Sequence, residues 1–399
     1  MKILFLCNKL PYPPDEGGSM AMNMMIEGIM QAGHQVKVLA VSSNKYLFNP
    51  SAIPENFLTK TRLETVFIDL SPRFLPALYC FFTRKSYHVH RFISKDFEQK
   101  LLQILQDQKF DIIQVETIFL TPYLKTIAKY SKAKVFLRAH NIEHLIWKRL
   151  AEYTKNPFRK IYLDHLSVQL KNYEIDHLDK YDGIVCISNV DAEYYMNLTQ
   201  EPVITASFGI NAEEYPISQV KEEEPSLFFI GAMNWMPNAE GLKWFLSDVW
   251  PAVRKVFPEL RFYIACKVIP AWLMAFESSN VKLLGEVENA KNFISSRSIM
   301  IVPLHSGSGI RIKIIEGMAL GKAVISTSIG AEGIDYENGK NILIADTKDE
   351  FVNQIRKCLA DDNFLVQLGI EARKTITTNH NANTIIKDLL SFYQKYLNI

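Results

Sequence analysis

The chain of 399 residues is 48% apolar and 22% charged, with 45 Lys and Arg against 43 Asp and Glu. This excludes a wholly disordered chain and, at ~100–200 residues per domain, predicts two domains. A formal net charge of +2 excludes a protein that coats DNA or RNA, so no nucleic-acid partner is expected, while a local basic patch stays open.

The opening residues 2–7 form a nearly continuous apolar run, which predicts a buried strand of a parallel sheet. Pro11, Pro13, Pro14, Gly17 and Gly18 then mark a loop. Ser19 reads as an N-cap, and Met22, Met25, Ile26, Ile29 and Met30 recur at helical spacing up to a stop at Gly33. Further strands are expected at 35–41, 65–70, 111–115, 134–138, 183–188 and 203–207, with helices between them, the longest over 156–180. Pro216, Lys221, glutamates 222–224 and Pro225 predict a solvated linker over 216–226. The strand–loop–helix rhythm restarts at 227–230, with Asn238 expected to cap the next helix. Later strands are expected at 261–265, 281–283, 299–303, 323–326 and 341–344. The expected domains are 1–215 and 227–380, both α/β, with a C-terminal helix over 381–399 packing back on the first.

Cys7, Cys80, Cys186, Cys266 and Cys358 are odd in number, widely spaced and without a CxxC pair, which fits a reducing compartment rather than a disulfide framework or a zinc site. The apolar run at 3–7 is shorter than the ~7–15 residues of a signal-peptide core. No run approaches the ~20 apolar residues that span a bilayer, so a cytoplasmic location is expected.

The stretch 299–333 is the richest in chemistry. An apolar strand ends at Pro303 and Leu304, and His305, Ser306, Gly307, Ser308 and Gly309 follow before a helix with Arg311, Lys313 and Glu316. Backbone N–H groups at such a turn, the positive end of the helix and two cations form a reasonable diphosphate pocket. The alternative is a tight turn with two solvated cations. Glu316 sits among Ile314, Ile315, Met318, Ala319 and Leu320 and needs a partner, either sugar hydroxyls or Lys313 three residues earlier. Gly17 and Gly18 offer a second anion-binding helix start or a plain flexible turn. His140, in Arg138-Ala-His140-Asn141-Ile-Glu143, follows a strand and either meets a substrate hydroxyl or caps the next helix. No GxGxxG, GxxxxGK[ST], DxD, HExxH or GxSxG occurs, which removes the main support for NAD, P-loop, carboxylate-bridged metal, zinc-protease and hydrolase readings.

Together with Glu316-Gly-Met-Ala-Leu-Gly321, Phe229-Ile-Gly231-Ala-Met-Asn234-Trp235 and Gly309-Ile-Arg311-Ile-Lys313, these features resemble glycosyltransferase family four, in a subgroup frequent in bacterial exopolysaccharide clusters. The resemblance implies the GT-B fold, two Rossmann-like doubly wound parallel-sheet domains facing a central cleft. It also implies a retaining, metal-independent hexosyl transfer from a nucleotide-diphosphate sugar, with no other cofactor, to a saccharide or lipid-linked acceptor. Carried over residue by residue, Gly17 and Gly18 approach the donor, and His140 contacts the donor sugar. Arg311 and Lys313 face the diphosphate beside Gly231, Gly307, Ser308 and Gly309. Glu316 binds the ribose, and the turn with Gly330, Glu332 and Gly333 lines the nucleotide. The first glutamate of the family's E-x7-E motif falls at Ser308, and the frequent Arg and Lys after the first strand of the second domain are Ala232 and Met233. Lys267, close to the next strand end, either supplies some of the missing positive charge or is solvated.

Catalysis is then expected from N–H dipoles, Arg311 and Lys313 stabilising the leaving diphosphate. The competing readings are a nucleotide-sugar epimerase of the same fold and a silent nucleotide-sugar-binding scaffold. Residues 73–95 mix Phe74, Leu75, Leu78, Tyr79, Phe81 and Phe82 with Arg84, Lys85, Arg91 and Lys95. They read either as a surface element on an anionic membrane or as a core helix with a solvated basic flank.

Overall fold

Continuous apolar runs become the inner strands of two parallel sheets. The computed structural model describes residues 1–217 and 225–397, and the chain divides into two compact units, Met1–Gly209 with Ala382–Ile399, and Ile210–Asn381. The linker expected at 216–226 lies largely outside the described residues.

In the first unit, β1 (Lys2–Cys7), β2 (Gln35–Ser42), β3 (Glu64–Phe67), β4 (Ile112–Glu116), β5 (Lys134–Ala139), β6 (Gly183–Cys186) and β7 (Val203–Thr205) form a sheet ordered β3-β2-β1-β4-β5-β6-β7. Every pairing is parallel. The expected strands are present, most of them with ends one or two residues away. Both faces are covered, so alternate residues of β1 feed two cores: Leu4 and Leu6 one, Ile3, Phe5 and Cys7 the other. The second core is closed by Met22, Met25, Ile26 and Ile29 of the helix Gly17–Gln31 and by Ile386, Leu389, Leu390 and Tyr393 of the helix Ala382–Leu397. These two helices come close enough that a Cβ on Gly28 would lie 2.5 Å from Ile386.

The second unit holds β8 (Ser226–Ile230), β9 (Arg261–Ala265), β10 (Val281–Gly285), β11 (Ile299–Val302), β12 (Ala323–Ser326) and β13 (Leu343–Ile344), all parallel and ordered β10-β9-β8-β11-β12-β13. Strand order reverses between β1 and β4 in one sheet and between β8 and β11 in the other. Ligands of doubly wound sheets bind at the carboxyl ends of strands at such points.

Two caps differ from expectation. The first helix begins at Gly17, with Glu16 rather than Ser19 at the cap position. Asn238 lies inside the helix Met236–Trp244, and its side chain donates to the Ala232 carbonyl instead of capping. All five cysteines are free and buried. Among the described residues, no helix is long and apolar enough to cross a membrane.

The segment at 73–95 is split: Val89 and Phe92 join the first unit's core, while the helix Phe74–Thr83 is no core helix. In the helix Phe74–Thr83 only Cys80 is buried, while Phe74, Leu75 and Phe82 are 75–78% exposed. The ring of Phe81 meets that of His165 at 4.3 Å, which sets this helix against Pro157–Ile175.

Candidate functional site

The second unit assembles its candidates at the ends of β8, β11 and β12. After β11 the chain turns through Gly307 and Gly309, both at positive φ (115° and 73°). A Cβ on Gly307 would lie 2.7 Å from the Arg311 guanidinium and 3.3 Å from the Trp235 ring, so only glycine suits both the conformation and the space. Arg311 sits at the cap position of the helix Ile312–Ala319 and is 5% exposed. Its Nη1 donates to the carbonyls of Ser308 and Gly309, and its guanidinium lies 5.4 Å from the Trp235 ring centre. Arg311 thus braces the glycine turn. Ser308 is 2% exposed, and the neighbouring Ser306 hydroxyl is buried with no hydrogen-bond partner among the described residues.

Lys313 points toward β8. Its Nζ donates to Asn238 Oδ1 (2.8 Å) and the Ile230 carbonyl (3.1 Å) and lies 4.3 Å over the Phe229 ring. A Cβ on Gly231 would stand 3.1 Å from it. The ammonium therefore occupies the turn after β8, where Ala232 and Met233 supply no charge. Burial, with a contribution from Arg311, pushes Lys313 down to about 7. Lys313 does not partner Glu316. Instead the Tyr215 hydroxyl donates to Glu316 Oε1 at 3.2 Å. Burial pushes Glu316 up to about 7, against the Tyr215 bond and the Lys291 charge. The reading of this turn as one with two solvated cations is thereby corrected: each ammonium or guanidinium is held by named acceptors.

Gly330 packs against the strand ends, where a Cβ would be 2.3 Å from Ser326 Oγ and 3.0 Å from the Val302 carbonyl. Glu332, half-buried, follows on the same turn, its N–H donated to Ile329. Lys267 is half exposed and lies 3.5 Å from Glu286.

In the first unit His140 follows β5. Its Nε2 bonds to Glu116 Oε2, and Glu116 at the end of β4 also accepts from Gln114 Nε2. His140 is therefore not the cap of the next helix. Glu174 has that role, accepting the N–H groups of Glu143 and His144, each at 3.1 Å. Glu143 itself is pushed up to about 8 by burial and the nearby Glu174 charge. Burial lowers His140, joined by the charges of Arg138 and Lys9, while Glu116 opposes the shift.

At Gly17 and Gly18 the helix start meets a lysine. Lys9 Nζ lies 2.9 Å from where a Gly18 Cβ would be and pairs with Glu16 at 3.4 Å, and Tyr46 also donates to Glu16. Glu116, Lys9 and Tyr215 escaped the sequence reading, and Asn238 was read as a cap rather than as the acceptor of Lys313. Tyr215 and Asn238 lie 101 and 75 residues from Glu316 and Lys313, and of the four only Glu116 had a signal, its end-of-strand position.

Residues 224–361 match the family model described as glycosyl transferases group 1. A protein described as an uncharacterized 44.6 kDa protein in the cps region of Klebsiella pneumoniae is 22% identical over 97% of this chain and 98% of its own length. Sucrose-phosphate synthase from Thermosynechococcus elongatus superposes with a TM-score of 0.72 over the full length of both chains at 14% identity. The Anabaena protein HepE in complex with UDP-glucose gives 0.64 at 14% identity, over 98% of this chain and 99% of its own. The chain has the GT-B fold, and its residues 224–361 resemble the glycosyl transferases group 1.

Proposed function

We propose that the protein is a retaining, metal-independent glycosyltransferase that moves a sugar from a nucleotide-diphosphate sugar to a saccharide or lipid-linked acceptor in surface polysaccharide synthesis. One observation carries the reading. Within the segment that matches glycosyl transferases group 1, the Gly231 turn, the Gly307–Gly309 turn, Lys313 and Glu316 gather at strand ends where the sheet order reverses. HepE, described in complex with UDP-glucose, and the relative in a cps region support the donor class and the pathway type.

In this reading Lys313 and the turn N–H groups neutralise the leaving diphosphate, Arg311 keeps the turn in shape, and Glu316 takes the ribose hydroxyls. A preorganised donor of this kind is worth ~10²–10³ in rate. The bond from the anomeric carbon to the phosphate oxygen breaks, and one to the acceptor oxygen forms on the same face. The acceptor proton passes to the departing phosphate oxygen. His140 accepts a hydrogen bond from the donor sugar.

The test is to screen UDP-, GDP- and ADP-sugars by thermal shift and then follow turnover with and without acceptor. One donor is expected to stabilise the protein, by ~2.7 kcal/mol at a hundred times its Kd. Transfer should retain the anomeric configuration, survive EDTA and fall ~100-fold in Lys313→Met. Release of an epimer without acceptor would overturn transfer, and binding without any turnover would leave a scaffold.

We also propose that the first unit rests on an anionic membrane. The support is the apolar face of Phe74, Leu75 and Phe82 together with Phe158 and Ile161, flanked by exposed Arg73, Arg84, Lys85, Arg159 and Lys160. Such a face suits a lipid interface, and the cations suit acidic headgroups.

A further inference from the structure

We infer that Glu116, held in place by Gln114 and Tyr393, is a positioning residue that fixes His140 as a hydrogen-bond acceptor toward a sugar hydroxyl. The inference rests on the transferase reading, in which His140 faces the donor sugar. Glu116 closes β4 and lies in register with Cys7 of β1 and Arg138 of β5, beside the reversal of strand order. It is fully buried. A carboxylate in that place is costly unless its oxygens are used.

Both oxygens are used. Oε1 accepts from Gln114 Nε2, and Oε2 meets His140 Nε2. Gln114 is itself fully buried, and its Oε1 accepts from the hydroxyl of Tyr393 on the helix Ala382–Leu397. A chain of three hydrogen bonds therefore runs from the C-terminal helix to the imidazole. Arg138, whose charge acts on Glu116 from the neighbouring strand, has its Nη atoms on the carbonyls of Ala21 and Ala206 (3.3 and 3.5 Å), so it balances the carboxylate without taking its oxygens.

The direction of every bond follows from its ends. Tyr393, pushed up by burial, stays a phenol and donates. With its oxygen taken, Gln114 gives an N–H to Glu116. For Glu116, burial favours the neutral acid, but the bonds from His140 and Gln114 and the Arg138 charge bring it below the usual range. An ionised carboxylate only accepts, so His140 must donate from Nε2. A neutral imidazole carries one proton, and burial keeps His140 neutral. Nδ1 is left with its lone pair, the only ring atom able to accept from a hydroxyl. Without Glu116 the ring could turn over or exchange tautomers and offer an N–H instead.

The full-length chain, labelled with ¹⁵N-histidine, gives a direct readout. Wild-type His140 is expected as the Nε2–H tautomer, and Glu116→Gln should bring in the Nδ1–H form. With the donor found by the UDP-, GDP- and ADP-sugar screen, Glu116→Gln should lower kcat by ~10–100-fold while donor KM moves less than ~3-fold. Tyr393→Phe should show a smaller loss with the same split. Finding the Nδ1–H tautomer in the wild type, or a wild-type kcat in Glu116→Gln beside a large loss in His140→Ala, would overturn the inference. A wild-type kcat in His140→Ala would instead remove the role of His140 in transfer, and the tautomer spectrum would still decide whether Glu116 sets the ring.

Discussion

At the scale of single residues, the second unit keeps two ionisable groups near neutrality by burying them three positions apart on one short helix. Their effects on stability run in opposite directions. Lys313 releases its proton at about 7 in the fold but only at ~10.4 unfolded. Between these values the unfolded chain binds more protons, so stability rises with pH there and is lost as pH falls through 7. Glu316 holds its proton up to about 7 in the fold but only to ~4.3 unfolded. The folded chain then binds more protons, and stability falls as pH rises through that interval. Urea midpoints measured from pH 4.5 to 10 should lose the alkaline rise in Lys313→Met and the acid-side fall in Glu316→Gln. An unaltered profile in either variant would contradict the burial of that group.

Elements were legible where a pattern repeats along the chain. The apolar runs at 2–7, 227–230 and 299–303 are strands because both sheet faces are covered, and a buried strand cannot alternate. Caps were not legible. Ser19 and Asn238 have suitable side chains, but capping depends on which oxygen reaches the orphan N–H groups, and Asn238 is engaged by Lys313 from another element. The helix Phe74–Thr83 shows the same limit: its composition fits a core, and only its placement leaves the aromatics outward. Vesicle co-sedimentation should detect binding to phosphatidylglycerol vesicles that weakens with salt, and Phe82→Asp with Phe158→Asp should abolish it. Equal recovery with neutral and anionic vesicles, or none, would remove the membrane proposal.

For the whole molecule, the first unit is discontinuous in sequence: its sheet comes from the first 209 residues and part of its cover from Ala382–Leu397. Leu389 is fully buried in that cover, beside Tyr393, whose ring lies 4.8 Å from Phe136. Leu389→Ala should cost ~2–5 kcal/mol, read as a lower urea midpoint with an unchanged slope. A change below ~0.5 kcal/mol would mean that this helix adds little to the first unit. The near-zero net charge excluded only a coating partner. The charges that matter are local and buried, and a sum over the chain does not register them.

By itself the sequence determined the two parallel sheets, the turns after β8, β11 and β12, and the class of chemistry that they suit. Apolar periodicity and glycine are local properties, readable in order along the chain. The tertiary structure alone decided which polar groups meet. Glu116 finds His140 and Gln114 finds Tyr393, while Lys313 reaches the Gly231 turn and Glu316 takes Tyr215. A buried donor or acceptor must be satisfied by whatever the fold brings beside it, and sheet order rather than sequence distance sets that neighbour.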